Sequence, residues 1–285
     1  VHGQLHLHEV CGSTTCPDTA NHNSAHGDYV QFDVLSYDAA NKKLNGRSAS
    51  NDGYPLSDGA YYLNDNIELD APLYIPNNTN VTLCLNGYSI TVKADKDAIT
   101  IGVNGTLKLC DCKGGNVNAE YGRITHAVKD GGKYSGCGVQ VNLNAAFTMY
   151  GGSIRGNQDT SGAAGVHVDT NAVFTMYGGS VTENTVPDDM GAGIYTAGST
   201  TIGGSAEVSK NSAPSGMGAG IYCVGGTLCI EGSAKITGNT AAKGGGVYLY
   251  LEDDAEGMTV RGNAQITGNT AAQGGGVYVE KGTLK

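Results

Sequence analysis

The stretch Phe147-Thr148-Met149-Tyr150-Gly151-Gly152-Ser153 returns as Phe174-Thr175-Met176-Tyr177-Gly178-Gly179-Ser180, an offset of 27 residues. Around it a Gly-apolar-Tyr element recurs at Gly193-Ile194-Tyr195, Gly220-Ile221-Tyr222, Gly246-Val247-Tyr248 and Gly276-Val277-Tyr278. Upstream variants are Gly138-Val139-Gln140 and Gly165-Val166-His167. A third marker stands at Asn157, Asn184, Asn211, Asn239 and Asn269, with spacings of 27, 27, 28 and 30. Three markers drifting together identify stacked units, because self-similarity over a few tens of residues decides the fold before local propensity does.

Within each unit the apolar residues alternate with period two over runs too short for helices. A coil of about 27 residues holds two or three short strands plus bends, each strand pairing in parallel with its copy one coil on, about 4.8 Å away. The sequence therefore predicts an all-β right-handed parallel β-helix over residues 46–285, preceded by a small Cys/His-rich cap over residues 1–45. One side chain in two points inward, which places Phe147, Met149, Val166, Phe174, Met176, Ile194, Ile221, Leu228, Ile230, Val247, Met258, Val260 and Val277 in apolar columns. The Ile or Val three places before each marker Asn joins them. The Asn residues themselves suit a buried ladder in which each carboxamide bonds its copy and the turn backbone; the plainer reading is turn Asn in left-handed conformation. Farther upstream, Val81-Thr82-Leu83-Cys84-Leu85 lies over Leu107-Lys108-Leu109-Cys110-Asp111 at an offset of 26, which is one more coil.

Composition agrees with many short strands and tight turns: 45 Gly, no Trp and 15% charged residues. The net charge of −10 disfavours nucleic acid, anionic membrane surfaces and polyanionic sugars, all of which are bound through basic stripes. No run approaches the roughly 20 apolar residues of a membrane helix, and no signal peptide is read at the start. Membrane insertion by this segment is not expected.

The Gly-Gly-Gly-Val-Tyr and Ile-Thr-Gly-Asn-Thr-Ala elements resemble the repeats of polymorphic outer-membrane adhesins. Thr82-Leu83-Cys84-Leu85-Asn86-Gly87, with Leu109-Cys110-Asp111-Cys112 downstream, is similar to β-helix repeats of large surface proteins from gut-dwelling Firmicutes. The resemblance covers roughly residues 60–285 and is specific for fold but weak for function. It implies a secreted or bacterial cell-surface location, a place within a larger surface protein, and adhesion to a host protein or glycan. Some proteins of this look bind immunoglobulin, so secreted immunoglobulin is the candidate ligand.

Residues 1–45 do not repeat, and they hold five of the seven histidines and two of the eight cysteines. Cys11 and Cys16 followed by His22 and His26 come close to Cys2His2 zinc spacing, with His6 or His8 as replacement ligands. A structural zinc ion would staple a cap over the open end of the solenoid. A Cys11–Cys16 disulfide with surface histidines is the alternative.

The remaining cysteines leave several states open. Cys84 and Cys110 fall at equivalent places in adjacent coils, with Cys112 two residues on and Cys137 about one coil away; disulfide, thiol and metal-bound states all remain possible. Cys223 and Cys229 fall on opposite sides of one wall, which argues against a bond between them. No catalytic residues are assigned: the acidic runs Asp188-Asp189 and Glu252-Asp253-Asp254 lack basic partners in neighbouring coils, and the signatures of polygalacturonases are missing. A carbohydrate-active enzyme on this fold, a polysaccharide lyase or glycoside hydrolase, is the runner-up to a non-catalytic binding module.

For binding, parity turns His167, Tyr195, Tyr222, Tyr248 and Tyr278 outward as one stripe, with Tyr150 and Tyr177 beginning a second. Such ladders bind sugars or proteins through ring faces, or stack only to stabilise the sheet. The loops 185–191 and 212–218 are alternative contact sites.

Overall fold

The computed structural model describes residues 6–9, 29–112, 122–160, 162–251 and 257–285. Every regular element among them is a strand. Three long sheets dominate, of 11, 8 and 9 strands, and apart from an antiparallel pair at one end of the eleven-stranded sheet their neighbouring strands come from successive coils and run parallel. The result is a parallel β-solenoid of right-handed type with about nine turns, the hand that crossovers between parallel strands strongly prefer.

One coil shows the plan. Val139–Val141 belongs to the nine-stranded sheet, here the Tyr wall; Ala146–Met149 to the eleven-stranded Phe wall; and Ser153–Arg155 to the eight-stranded Asn wall. Their copies Val166–Val168, Val173–Met176 and Ser180–Thr182 lie one coil on. Register follows the repeat residue for residue: Phe147 pairs with Phe174, Met149 with Met176, and Ile154 with Val181. The 26-residue offset upstream holds as well, since Cys84 pairs with Cys110.

The core is the sum of inward columns. Val139, Val166, Ile194, Ile221 and Val247 are register partners in turn and all are fully buried. Phe147 and Phe174 stack nearly parallel with ring centroids 5.0 Å apart. Val260, Ile266 and Val277 are only partly buried: Ile266 and Val277 lie on the last strands of their sheets, and beyond Val260 there is only the short strand Thr283–Leu284. Thr200 interrupts the phenylalanine column, yet its Oγ1 donates to Thr196 Oγ1 at 2.9 Å, so the buried hydroxyl is satisfied.

The Asn ladder forms as expected. From Asn157 to Asn239 each Nδ2 bonds the Oδ1 of the next Asn and a backbone carbonyl of the preceding coil; for Asn211 these are Asn239 Oδ1 and Val181 O, both at 3.0 Å, while the last, Asn269, bonds Ile236 O. Turn Asn in left-handed conformation do occur, but elsewhere: Asn78, Asn104, Asn144 and Asn171, at the bends into the Phe wall. His126, nearly fully buried, ends the ladder, with Nδ1 2.8 Å from Asn157 Oδ1 and Nε2 2.8 Å from Lys96 O.

The N-terminal segment joins the same body. His6–Glu9 pairs antiparallel with Tyr29–Val34, which in turn runs parallel to Gly59–Tyr62 at the edge of the Phe wall. A small meander, Tyr37–Asp38, Lys43–Leu44 and Arg47–Ser48, sends Leu44 into the core.

Candidate binding surfaces

The Tyr column follows from strand parity. With Ile194, Ile221 and Val247 inward, Tyr195, Tyr222, Tyr248 and Tyr278 become register partners on the outer face. Their rings stack at centroid distances of 5.6, 5.0 and 5.3 Å, and His167 continues the column 4.7 Å from Tyr195. Exposure is uneven, however: Tyr222 is 8% exposed and Tyr248 only 3%. Each lies between two stacked rings, Tyr222 between Tyr195 and Tyr248 and Tyr248 between Tyr222 and Tyr278, and a glycine packs at the base of every Tyr in the column, Gly191 at Tyr195 and Gly274 at Tyr278 included. Gly218, at φ +60°, folds back so closely that a Cβ there would lie 2.9 Å from Tyr222 Cβ, and Gly244 sits on Tyr248 in the same way. Only glycine fits at such a contact and conformation.

Burial and charge fix the state of these phenols. Desolvation, with Tyr195 and Glu280 nearby, pushes Tyr222 up to about 12. Burial also raises Tyr248, whose hydroxyl donates to Glu280 Oε2. Lys243 Nζ lies 5.4 Å from the Tyr278 ring centroid. The middle of this column is therefore packed, and only its ends, His167, Tyr195 and Tyr278, are partly open.

The loops 185–191 and 212–218 are also more ordered than a free contact loop. Thr185 bridges to Ser212 and Met190 to Met217, while Ser212–Met217, Thr240–Lys243 and Thr270–Gln273 form a further parallel sheet. Ala164, Val186, Ala192, Ala213, Ala219 and Ala241 give it a small core of its own.

The Phe wall offers a different surface. Its outward row runs Thr148, Thr175 and Thr201, all partly exposed, and Tyr150 stacks on Tyr177 at its margin with centroids 5.6 Å apart. On the other margin Val173 is 45% exposed and Leu143, in the adjoining bend, 43%. Thr148, Thr175, Tyr150, Tyr177, Val173 and Leu143 make a patch without charged side chains and with two half-buried rings, bordered on one side by the exposed Lys108, the register partner of Thr148. Farther along the wall Glu231 and Arg261 close it with an ion pair.

Cys11, Cys16, His22 and His26 lie outside the described residues, as does the run Glu252-Asp253-Asp254. His6 and His8 stand on His6–Glu9, in register with Phe32 and Val30. Among the described residues no three His, Cys, Asp or Glu form a group suited to a metal ion. Comparison with protein-family models, curated proteins and solved structures finds no match. Cys223 points into the core and Cys229 outward, as parity requires, and both are thiols. Cys137 is buried at a different corner, beside Asp97. Sequence reasoning missed His126 as an inward polar residue; its signal is register, since it pairs with the buried Val92.

Proposed function

We propose that this chain is a non-catalytic binding module of a secreted or cell-surface bacterial protein, contacting a host protein or glycan through the Phe wall. Secreted immunoglobulin is the candidate protein ligand. The observation that carries this reading is the stacked pair Tyr150 and Tyr177, held half-buried beside the uncharged row Thr148 and Thr175. Rings already fixed by stacking lose little conformational freedom on contact, and a flat row of hydroxyls can pair with polar groups without the desolvation cost of charges. Exposed Val173 and Leu143 add apolar area at the margin. The Tyr column contributes its open ends, while Tyr222 and Tyr248 hold the wall together.

The test is direct binding of the purified chain to immunoglobulin and to mucin-type glycans. Tyr150→Ala with Tyr177→Ala is expected to weaken capture at least tenfold with an unchanged circular dichroism spectrum. Undiminished capture by that variant would remove the Phe wall as the contact face.

A further inference from the structure

At the corner where the Phe wall turns into the Asn wall, the outward column places Tyr62, Cys84 and Cys110 side by side in successive coils. Cys112, two residues farther on, brings its Sγ to 3.5 Å from Cys84 Sγ. The Cys84 thiol is in hydrogen-bonding contact with Cys110 as well, so one sulfur touches two others. All three are thiols in this structure. Cys84 is completely buried, whereas Cys110 and Cys112 are partly exposed.

The corner is held rigidly. Asp111, between the two outer cysteines and 2% exposed, accepts Gly87 N–H at 2.7 Å and Gly122 N–H at 2.8 Å. Asn86 donates through Nδ2 to Leu63 O at 2.9 Å and accepts the Cys112 thiol at 3.2 Å. These bonds aim Cys112 at Cys84 rather than into solvent.

We propose that Cys84, Cys110 and Cys112 form a thiol–disulfide exchange site that reacts with low-molecular-weight disulfides and closes a Cys84–Cys112 bond across two coils. The partly exposed Cys112 thiolate attacks the small disulfide, forming a mixed disulfide and releasing one small thiolate. Cys84 then attacks Cys112 Sγ, forming the internal bond, expelling the second small thiolate and giving up its proton to it. The sum is two protein thiols and one small disulfide converted to one protein disulfide and two small thiols. Cys84 is completely buried and only 3.5 Å from Cys112 Sγ, so a small disulfide reaches the partly exposed Cys112 first and Cys84 acts as the resolving group, its raised thiol passing its proton to the departing small thiolate. Cys110 remains in contact with the bonded sulfur as the thiol that can reopen it.

The experiment treats the reduced chain with oxidised glutathione at about pH 8, where exposed thiols begin to ionise, then alkylates and maps the peptides by mass spectrometry. A Cys84–Cys112 link is expected, and it persists in Cys110→Ser. In Cys84→Ser, glutathione is expected to accumulate on Cys112 at least tenfold above the wild-type level. A lasting glutathione adduct on wild-type Cys112, a link confined to Cys84 and Cys110, or three unreacted thiols would each overturn the proposal.

Discussion

Asn184 Oδ1 accepts two hydrogen bonds from Asn157, one from the backbone N–H at 3.0 Å and one from Nδ2 at 3.1 Å. Asn184 Nδ2 passes the pattern on to Ile154 O and Asn211 Oδ1, both at 3.0 Å, so all four bonding positions of a fully buried amide are filled. A buried side chain in this state is costly to remove, since each partner left without a bond loses its water as well.

Asn211→Ala is therefore expected to destabilise the chain by about 3 kcal/mol, because it strands Asn184 N–H, Asn184 Nδ2 and Val181 O together. Denaturant unfolding measures this. A loss below about 1 kcal/mol, the net value of one ordinary hydrogen bond, would mean that the ladder does not act as a unit.

The residue before each ladder Asn adopts positive φ: Gly156 at 66°, Glu183 at 58°, Lys210 at 54°, Gly238 at 66° and Gly268 at 64°. Three coils use glycine there and two carry side chains that oppose this conformation. Lys210 is exposed, so Lys210→Gly is expected to raise stability by about 0.5–1 kcal/mol, the relieved strain exceeding the entropy glycine adds to the unfolded chain. Lowered stability in the same unfolding assay would show that the Lys210 side chain contributes more than its backbone costs.

The fold was legible because its columns repeat the same residue types: Phe147 over Phe174, Asn184 over Asn211, and Ile194 over Ile221 could be aligned without any structure. Parity also gave the correct face for Tyr222 and Tyr248. What it could not give was their burial, since Gly191, Gly218, Gly244 and Gly274 make the same close approach at the base of all four Tyr while only Tyr222 and Tyr248 are buried. That contact is written as a glycine four residues before each Tyr, a spacing with no meaning until the bend geometry is known. Cys84 and Cys110 were aligned by the repeat, but the approach of Cys112 rests on the Asn86 and Asp111 bonds of an irregular corner.

Tyr222 gives an alkaline prediction. Its pKa in the fold is pushed up to about 12, mainly by burial, against an ordinary value of 10.0. A raised folded pKa means that the stabilisation is fully present below about pH 10 and is lost as pH climbs through about 12, because the unfolded chain ionises first. Tyr222→Phe keeps the stack and removes the titration, so its alkaline unfolding midpoint is expected to move upward while neutral stability stays within about 0.5 kcal/mol. Tyr222→Ala, by contrast, is expected to cost about 3 kcal/mol at neutral pH through the cavity it leaves. Superimposable alkaline curves for wild type and Tyr222→Phe would contradict the burial seen here.

Asp70 sets the acid limit of the N-terminal meander. Its Oδ1 accepts Tyr54 OH at 2.6 Å and Tyr37 OH at 3.1 Å, and its Oδ2 pairs with Lys42 Nζ at 2.7 Å. Lys42 first, then the Tyr54 hydroxyl, holds this carboxyl at about 2 against an ordinary 3.8. With a depressed folded pKa, the contribution is present above about pH 4 and disappears as pH falls through about 2. The Lys42 pair is largely exposed and screened, so the bond from the buried Tyr54 carries more of the effect. Protonation would release Lys42 and Tyr37 from the carboxylate that ties the meander to the coil. The protection of the Lys43–Leu44 amides against hydrogen exchange, relative to the intrinsic rate at each pH, is accordingly expected to fall between pH 4 and 2 in the wild type. In Asp70→Asn that protection is expected to be low already at neutral pH and to show no such acid step. An acid step of the same size in Asp70→Asn would assign it to another carboxylate.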